Sequence, residues 1–417
     1  MPYLSRMDLT NFYEEILGLS DPWSISSFEL DSKKKSISIY LSHGVKAIFA
    51  CPVCDKSCSV YDHGEVRTWR HLDTCDHSTY LQASLPRVCC EDCGIHTIKA
   101  PWSDGKSHFT LQFEVHIIDV LEQTQVVTRS ALLLGIAAHQ VSYVRDKAVA
   151  RGLLRRERKN NYRVAHVCID EKSLFTGQHY VTLFYDGDTG TILEVVEHRT
   201  IAATTLGISK LREFVDLSKV DVVTMDMWEA FKSSVESCIP EAKIVHDRFH
   251  LAKYLTKAVD IIRRAENKNL VKQEDDRLKK TKYLWLKNPE NLKQIQEDTL
   301  NDLLKDESLK TVQAYQAKEN FKNFFNCNTK AEAKAFFSDW FEKVEKSELP
   351  PLIKVGKMFK RHLNKMLNYF EYRVSNAMAE CKNTSVQQIK SKARGFKSAK
   401  AFRISILFYF GDLDLYP

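Results

Sequence analysis

The sequence contains no apolar run long enough to cross a membrane. Its longest nearly uncharged apolar stretch, residues 130–138, is about half the length that a membrane-spanning helix requires. The first fifteen residues also have no secretory signal organisation, in which a basic segment precedes an apolar one. We therefore expect a cytoplasmic protein with no membrane partner.

The sequence also has little net charge for its size. A formal charge of +7 over 417 residues only hints at an acidic partner, and 44% apolar with 28% charged residues is typical of a soluble globular protein of two to four domains. Eleven cysteines are present. Because disulfides are rare in reducing compartments, the spacing of these cysteines points to metal binding rather than to cross-links.

Two Cys-x-x-Cys pairs stand in the first hundred residues, Cys51 with Cys54 and Cys90 with Cys93. Two such pairs can surround one Zn²⁺ with four thiolates, so we predict a structural zinc in a domain over 1–108. Residues 27–50 alternate apolar and polar side chains around a Ser-His-Gly turn, which predicts a hairpin ahead of the first pair. The 55–89 gap is long for such a site, and small buried hydrophobes are the alternative interpretation of the cysteines. Other possible ligands also remain open: Cys58, Cys75, Cys89, His71, His77 and His96.

Residues 109–160 have helical periodicity and the pattern of a helix-turn-helix. The first helix should end at Gly135 with Ala131 and Leu132 facing inward, and the second should be buried through Ile136, Val141 and Val144. The outward face of the second helix would then meet base edges in a major groove. The residues predicted to lie on that face are His139, Gln140, Ser142, Tyr143 and Arg145.

A basic run follows directly, with eight cations against two acids over 145–163. Such a run is often only a solvated helix face. After a helix-turn-helix pattern it favours contact with DNA phosphates, and we assign this role to Arg151, Arg155 and Arg156.

The pattern changes to strands over 161–250. Three strand patterns at 163–170, 179–186 and 191–198 are followed by a helix, a strand at 219–226, a helix and a strand at 242–247. Three antiparallel strands followed by alternating helix and strand predict a mixed α/β sheet in the order of the ribonuclease-H-like fold.

Strand signals then disappear over 251–370. No glycine occurs between Gly207 and Gly356, and helix-forming residues dominate, so we predict an all-helical insertion. Residues 371–417 return to the core as a basic, amphipathic helical segment that is broken at Gly395.

Three carboxylates fit a metal site in this core. Asp170 and Asp226 close two apolar strand patterns, where open α/β sheets place their active sites, and Glu380 lies on the helix that follows the helical insertion. Paired carboxylates are costly to keep ionised without a cation, and Mg²⁺ prefers oxygen ligands. Three acids that hold two metals suit in-line attack on phosphorus. The alternatives are a turn former or cap for each Asp and a solvated helix position for the Glu, while strand alternation points Glu171 away from Asp170.

Several longer segments resemble the ISL3 family of bacterial insertion-sequence transposases, over nearly the whole chain. The matching segments include "VRTWRHLD" (66–73), "IDEKS" (169–173), "MDMWEAF" (225–231), "HDRFHLAKYL" (246–255) and "AECKNTSVQQIKSKARGF" (379–396). The resemblance implies a multidomain α+β protein in which a zinc-binding domain and a helix-turn-helix precede a ribonuclease-H-like core split by a helical insertion.

The resemblance also implies the chemistry. Asp170, Asp226 and Glu380 match the three catalytic acids of the family, which would hold two Mg²⁺ or Mn²⁺ ions, cleave double-stranded DNA at terminal inverted repeats and transfer the strand to target DNA. His250 resembles a residue that positions the scissile phosphate, although a capping or core role is an equal alternative. Basic residues of the last motif, Lys390 and Arg394, would add DNA contacts.

Such an enzyme would be associated with the bacterial nucleoid and would act as a homo-oligomer on DNA. The alternative from another functional class is a catalytically inactive regulator that binds DNA through the zinc domain and the helix-turn-helix. A zinc-stabilised interaction scaffold is a further alternative.

Overall fold

The computed structural model describes residues 9–159, 162–175 and 179–417 of the chain. The chain divides into two compact units, the first made of 1–154 with 414–417 and the second of 155–413. The predicted zinc-binding and helix-turn-helix segments thus lie mainly in one unit, and residues 414–417 join them instead of the core. Within the described ranges, no helix combines the length and apolar character that a membrane crossing needs.

The first unit contains a six-stranded sheet in the order β1-β2-β5-β4-β3, with β6 paired to β5. Its strands are β1 Trp23–Asp31, β2 Ser36–His43, β3 Ile48–Ala50, β4 Ser57–Arg70, β5 Ser78–Cys90 and β6 Gly94–Thr97. Strands β2 and β5 pair in parallel, and the other neighbours are antiparallel. Alternating apolar side chains such as Ile39, Trp69 and Leu81 are fully buried and form the core of this sheet.

The predicted hairpin is present, but its turn is not the Ser-His-Gly segment. Strands β1 and β2 are joined by residues 32–35, and the Asp31 carboxylate accepts backbone hydrogen bonds at 3.0 Å from both Lys33 and Lys34. Such an Asp turn satisfies the local amides, so the chain reverses earlier than predicted. His43 instead closes β2.

Among the described residues, four helices complete the first unit: α1 Leu9–Leu17, α2 Leu111–Thr124, α3 Val127–Leu134 and α4 Ala138–Lys159, the last of which runs on into the second unit. Helix α3 ends at Gly135 with a φ of 64°, as predicted from the sequence. The prediction that Leu132 faces inward is wrong, because its side chain is 82% exposed and Leu134, three residues beyond the buried Ala131, points to the core.

The second unit contains a five-stranded mixed sheet in the order β11-β10-β7-β8-β9. Its strands are β7 His166–Ser173, β8 Tyr180–Asp186, β9 Ile192–Glu197, β10 Val222–Met225 and β11 Lys243–His246. Strands β7, β8 and β9 are antiparallel, whereas β7, β10 and β11 run in parallel, in agreement with the predicted mixed sheet.

The sequence predicts that this strand ends at Asp170, but β7 continues to Ser173. On one side, β8 pairs with β7 as far as Ser173. On the other side, the pairing with β10 stops at Ile169, which lies opposite Met225. Asp170 is therefore the first position of β7 that β10 no longer covers.

Helices surround this sheet and form a separate block within the second unit. The helices are α5 Ile201–Leu211, α6 Glu229–Cys238, α7 Arg248–Val271, α8 Lys282–Leu286, α9 Gln294–Leu303, α10 Lys310–Phe321, α11 Lys330–Lys346, α12 Pro350–Leu367, α13 Tyr369–Tyr372, α14 Ala377–Lys392 and α15 Ala399–Phe410, with short 3-10 helices at Leu217–Lys219, Pro289–Asn291 and Lys322–Asn326. Helices α7 to α13 share one apolar core that includes Trp285, Phe324 and Phe359, so the predicted all-helical segment is confirmed. The predicted break at Gly395 is also present, between α14 and α15, where its φ is 96°.

Candidate metal centre and active site

The two Cys-x-x-Cys pairs lie at two tight turns that the sheet of the first unit brings together. Cys51 and Cys54 fall between β3 and β4, whereas Cys90 is the last residue of β5 and Cys93 immediately precedes β6. Strands β4 and β5 are long and antiparallel, so the chain runs away from the first pair and returns to it. This return path explains the long gap between the pairs.

The four thiols fit a tetrahedral zinc ion. Their Sγ atoms all lie within 4.8 Å of one another, and the Sγ atoms of Cys54 and Cys90 are 3.6 Å apart. Zn–S bonds of about 2.3 Å in a tetrahedron place the sulfurs roughly 3.8 Å apart. Hydrogen bonds from the backbone N–H groups of Asp92 and Cys93 lower the pKa of Cys90 to about 6, whereas the hydrogen bond to Cys54 and burial raise the pKa of Cys93 to about 12, so the cluster favours one thiolate while no cation is bound.

The other possible zinc ligands that the sequence leaves open do not belong to the group of four thiols. Cys75 and Cys89 are exposed, and each histidine hydrogen-bonds elsewhere: His71 to the Thr110 hydroxyl, His77 to the Cys75 carbonyl and His96 to the Cys93 carbonyl. Cys58 is buried close to the four thiols and donates to the Lys56 carbonyl. Among the described residues, the four predicted cysteines are the one group of three or more such ligands with all ligand atoms within 4.8 Å.

A row of three aspartates crosses the edge of the second sheet. In the last paired row of the parallel strands, Ile169 lies beside Met225 and Met225 beside His246. The residue that follows each of these three in the chain is an aspartate: Asp170 on β7, Asp226 just after β10 and Asp247 just after β11. Because neighbouring strands are about 4.8 Å apart, the register alone gathers three carboxylates at the carboxyl ends of the parallel pairing.

His250 lies among these carboxylates. Asp247 caps α7 by accepting a hydrogen bond from the Phe249 amide at 3.2 Å, which places His250 in the first turn of that helix. The His250 Nδ1 is 3.1 Å from Asp226 Oδ2, and its Nε2 is 3.8 Å from Asp170 Oδ1 and from Asp247 Oδ2. Burial lowers the pKa of His250, but the hydrogen bond to Asp226 and the three acidic charges outweigh it and raise the pKa to about 9.

The carboxylates carry more negative charge than their surroundings neutralise. Burial raises the pKa of Asp170, and burial together with the charges of Glu380 and Asp170 raises the pKa of Asp247 to about 6. For Asp226 the hydrogen bond and charge of His250 outweigh burial, so its pKa is lowered. The buried Oδ2 of Asp247 has no hydrogen-bond partner among the described residues. An oxygen-only ligand set with an unsatisfied buried oxygen fits a hard divalent cation such as Mg²⁺ or Mn²⁺.

Glu380 approaches this row from the first turn of α14 and is half-buried. Burial and the charge of Asp170 raise its pKa against the opposing effects of His250 and Arg248. Glu171 is directed elsewhere, since it binds Arg199 through both carboxylate oxygens at 2.9 and 2.7 Å. The structure thus brings all four predicted core residues together and leaves Glu171 outside the set.

The residues predicted to read DNA bases are only partly free to do so. On α4, the side chains of His139 and Tyr143 are exposed and Ser142 is half-buried. The side-chain Oε1 of Gln140 accepts from the Ala137 amide at 2.9 Å, and Arg145 pairs with the neighbouring Asp146 at 2.7 Å. His139 and Tyr143 therefore remain the most available side chains of this face.

Several of the predicted phosphate contacts are engaged within the protein. Arg151 pairs with the fully buried Glu114 at 3.2 Å, and Arg156 lies 3.7 Å over the ring of Phe214. Burial lowers the pKa of Arg156 to about 10. Arg155 is half-buried, Lys390 donates to the Ser173 carbonyl at 2.9 Å, and Arg394 is exposed. Arg151 and Arg156 thus contribute to packing, which a local charge pattern does not reveal.

Two residues of the site are not predicted as ligands or partners by the sequence. In the sequence, Asp247 only marks the position of His250, although it ends an apolar strand in the same way as Asp170 and Asp226. The signal was therefore available in "IVHD". Asn383, whose amide donates to Asp170 Oδ2 at 2.5 Å, has no local sequence signal, because the two residues are over two hundred positions apart.

Comparisons with known proteins identify relatives of the chain. Residues 167–406 match a family model described as a transposase of the ISL3 type, and residues 49–93 match the zinc finger of the transposases of IS204, IS1001, IS1096 and IS1165. A transposase for insertion sequence element IS1001 from Bordetella parapertussis is 24% identical over 376 residues, which cover 89% of this chain and 91% of that protein. A transposase for insertion sequence element IS1557 from Mycobacterium tuberculosis is 25% identical over 381 residues, covering 84% and 83%.

Proposed function

The chain belongs to the ISL3 family of transposases, and from this premise we propose that it cleaves the terminal inverted repeats of its insertion sequence and joins the ends to target DNA. The observation that carries the proposal is the carboxylate row of the second sheet, faced by Glu380. The strand order of this sheet, with three antiparallel strands followed by two parallel ones, supports a ribonuclease-H-like core.

In the proposed reaction, Asp170, Asp226 and Glu380 would hold two Mg²⁺ or Mn²⁺ ions, and Asp247 borders the same site. When bound, such ions lower the pKa of an attacking water or 3′-hydroxyl and stabilise the leaving oxygen in an in-line displacement at phosphorus. The acids come from a rigid sheet edge and one helix, so they are arranged before DNA arrives. His250 would donate from its Nε2 to a phosphate oxygen while its Nδ1 keeps its contact with Asp226.

We further propose that the first unit recognises the DNA ends. The four cysteines would bind one structural Zn²⁺, and α4 would enter a major groove with His139 and Tyr143 facing the bases. Arg155, Lys390 and Arg394 would contact phosphates. Two ends must be joined in one reaction, which supports a homo-oligomer on DNA.

The test is strand cleavage of labelled duplexes that carry the two ends of the element, with Mg²⁺ and zinc-loaded protein. We expect the native chain to nick the DNA at the ends, and Asp170→Asn to bind the duplex with equal affinity but lose cleavage by at least about a thousandfold, since one metal ligand is removed. The matched control is Asp339→Asn, which changes an exposed aspartate on α11 and should cleave normally.

Equal cleavage by the native chain and Asp170→Asn would contradict the proposed site. Binding of the ends by the native chain without cleavage in Mg²⁺ or Mn²⁺ would favour the inactive regulator instead.

A further inference from the structure

Asn383 connects the helix that carries Glu380 to the strand that carries Asp170. It lies three residues after Glu380 on α14, so both side chains leave the same face of that helix. Its Nδ2 donates to Asp170 Oδ2 at 2.5 Å, and its Oδ1 accepts from the Tyr185 hydroxyl at 2.9 Å. One amide side chain therefore bridges α14, β7 and β8.

Tyr185 determines which way this amide points. Its side chain is fully buried in β8, and burial raises the pKa of its hydroxyl well above the ordinary value, so the group remains a donor. A donating hydroxyl requires the amide oxygen of Asn383 to face it, which leaves the NH₂ group to face Asp170. The reversed amide would place its oxygen against the Asp170 carboxylate and its NH₂ group against a hydroxyl hydrogen.

The same segment of α14 is held to β7 by two lysines. Lys172 donates to the backbone carbonyl of Asn383 at 3.3 Å, and Lys390 donates to the backbone carbonyl of Ser173 at 2.9 Å. The N-cap residue of α14, Asn376, makes no capping hydrogen bond through its side chain, whereas the Ser375 hydroxyl accepts from the Ala377 amide at 3.4 Å. Unlike the two lysine contacts, the Asn383 bridge reaches an acid of the site.

We propose that Tyr185 and Asn383 form a positioning pair that fixes the Asp170 carboxylate relative to Glu380. The proposal rests on the proposed function, because its purpose is to keep ligands from β7 and α14 at a constant separation. Neither residue is assigned a contact with DNA or a proton transfer. Partners that orient a metal-ligating carboxylate commonly matter 10- to 100-fold, that is, roughly one to two orders of magnitude, in metal affinity or activity.

A double-mutant cycle tests the pair. Asn383→Ala should slow end cleavage roughly 10- to 100-fold, and Tyr185→Phe, which keeps the ring and its packing, should slow it about 5-fold, the equivalent of one lost hydrogen bond. In the double variant, the Tyr185→Phe change should have no further effect, because the hydroxyl acts only through the amide. The matched control is Gln388→Ala, an exposed amide on the same helix, which should cleave at the native rate.

A second readout does not depend on cleavage. Binding of Mn²⁺ to the zinc-loaded protein can be measured from the loss of the electron paramagnetic resonance signal of the free ion. The affinity for Mn²⁺ should fall about 10-fold in Asn383→Ala and be unchanged in Gln388→Ala. For Tyr185→Phe, affinity for the end duplex without divalent metal should match the native protein, and the melting temperature should fall by only a few degrees, roughly the effect of one lost hydrogen bond.

The positioning role is overturned if Tyr185→Phe has an equal effect in the native and Asn383→Ala backgrounds, or if Asn383→Ala both cleaves and binds Mn²⁺ like the native chain. Should the native chain fail to cleave any end duplex, the proposed function fails, and the Mn²⁺ titration still decides whether Asn383 orients a metal-binding carboxylate.

Discussion

The cysteine cluster of the first unit and the carboxylate cluster of the second are both formed at strand ends, yet they differ in almost every physical property. The four thiols come from two short turns and lie within 4.8 Å of one another. The carboxylates come from the ends of three strands and a distant helix, and a buried oxygen among them has no hydrogen-bond partner in the described chain. A complete, closed set of soft ligands suits a structural ion, whereas an open set of charged oxygens suits ions that react.

This contrast predicts that losing a thiol damages the fold, while losing a carboxylate damages the chemistry. Cys90→Ser should abolish zinc binding and unfold the sheet of the first unit around the site, because structural zinc contributes roughly 10 kcal/mol or more to such small domains. Zinc content by mass spectrometry and hydrogen exchange over residues 48–97 measure the two effects.

Cys89→Ser is the control for this prediction, because Cys89 is the adjacent residue and is exposed. It should retain one zinc per chain and native hydrogen exchange. Loss of zinc from Cys89→Ser, or its full retention in Cys90→Ser, would show that the ligand set is misassigned.

Asp247→Asn tests the opposite half of the contrast. Asparagine caps a helix about as well as aspartate, so α7 should keep its start, and cleavage should fall roughly 10- to 100-fold as the metal site loses a charge. Without divalent metal, the variant should be more stable near neutral pH. The folded pKa of Asp247 is about 6 against an ordinary 3.8, so its ionised form destabilises the native state once the pH exceeds both values.

The gain should be about 1 to 3 kcal/mol at pH 7.5 and should shrink as the pH falls from 6 towards 4. Urea unfolding of zinc-loaded protein at several pH values provides the measurement. A variant that is less stable than the native chain at pH 7.5 would mean that the buried charge is already compensated.

The same contrast separates what the sequence predicts from what it does not. Four cysteines at fixed spacing are a local signal, and the sheet only has to return the chain to them. Asp170 and Asp226 are also locally marked, since each ends an apolar strand pattern. Asp247 also follows an apolar strand pattern. Its role becomes visible only from the strand pairing, which places it in one row with Asp170 and Asp226.

Other features depend on partners far away in the chain. The buried Glu114 binds Arg151, and the ring of Phe214 covers Arg156, so a run that resembles a DNA contact is partly consumed by packing. The link between Asn383 and Asp170 is equally nonlocal. The hairpin turn lies at residues 32–35, where the Asp31 carboxylate accepts two backbone hydrogen bonds, and not at Gly44, which marks a turn in the sequence.

Acid tolerance offers a smaller test of the first unit. His71 is buried and shares one hydrogen bond with the Thr110 hydroxyl. Its pKa is lowered to about 4, mainly by burial. The unfolded chain therefore takes up a proton below about pH 6.5 while the folded chain does not, so stability is lost as the pH falls from 6.5 towards 4. Native protein should lose about 1.4 kcal/mol through this residue between pH 7.5 and 5.5.

His71→Asn should remove this part of the pH dependence while costing about 1 kcal/mol at pH 7.5 through altered hydrogen bonding. Urea unfolding followed by tryptophan fluorescence at the two pH values gives the slope. An unchanged slope in the variant would assign the acid sensitivity to other groups of the unit.

The smallest expected effect concerns the exposed face of α4, which neither cluster constrains. His139→Ala should weaken binding to the end duplex by about 5-fold, or roughly 1 kcal/mol, while binding to a random duplex changes little, because base contacts carry specificity and phosphate contacts do not. The side chain is exposed, so the melting temperature should stay the same. His108→Ala, an exposed histidine outside the helix, is the matched control. Equal weakening on both duplexes would place His139 beside the phosphate backbone and leave base recognition to other residues of the face.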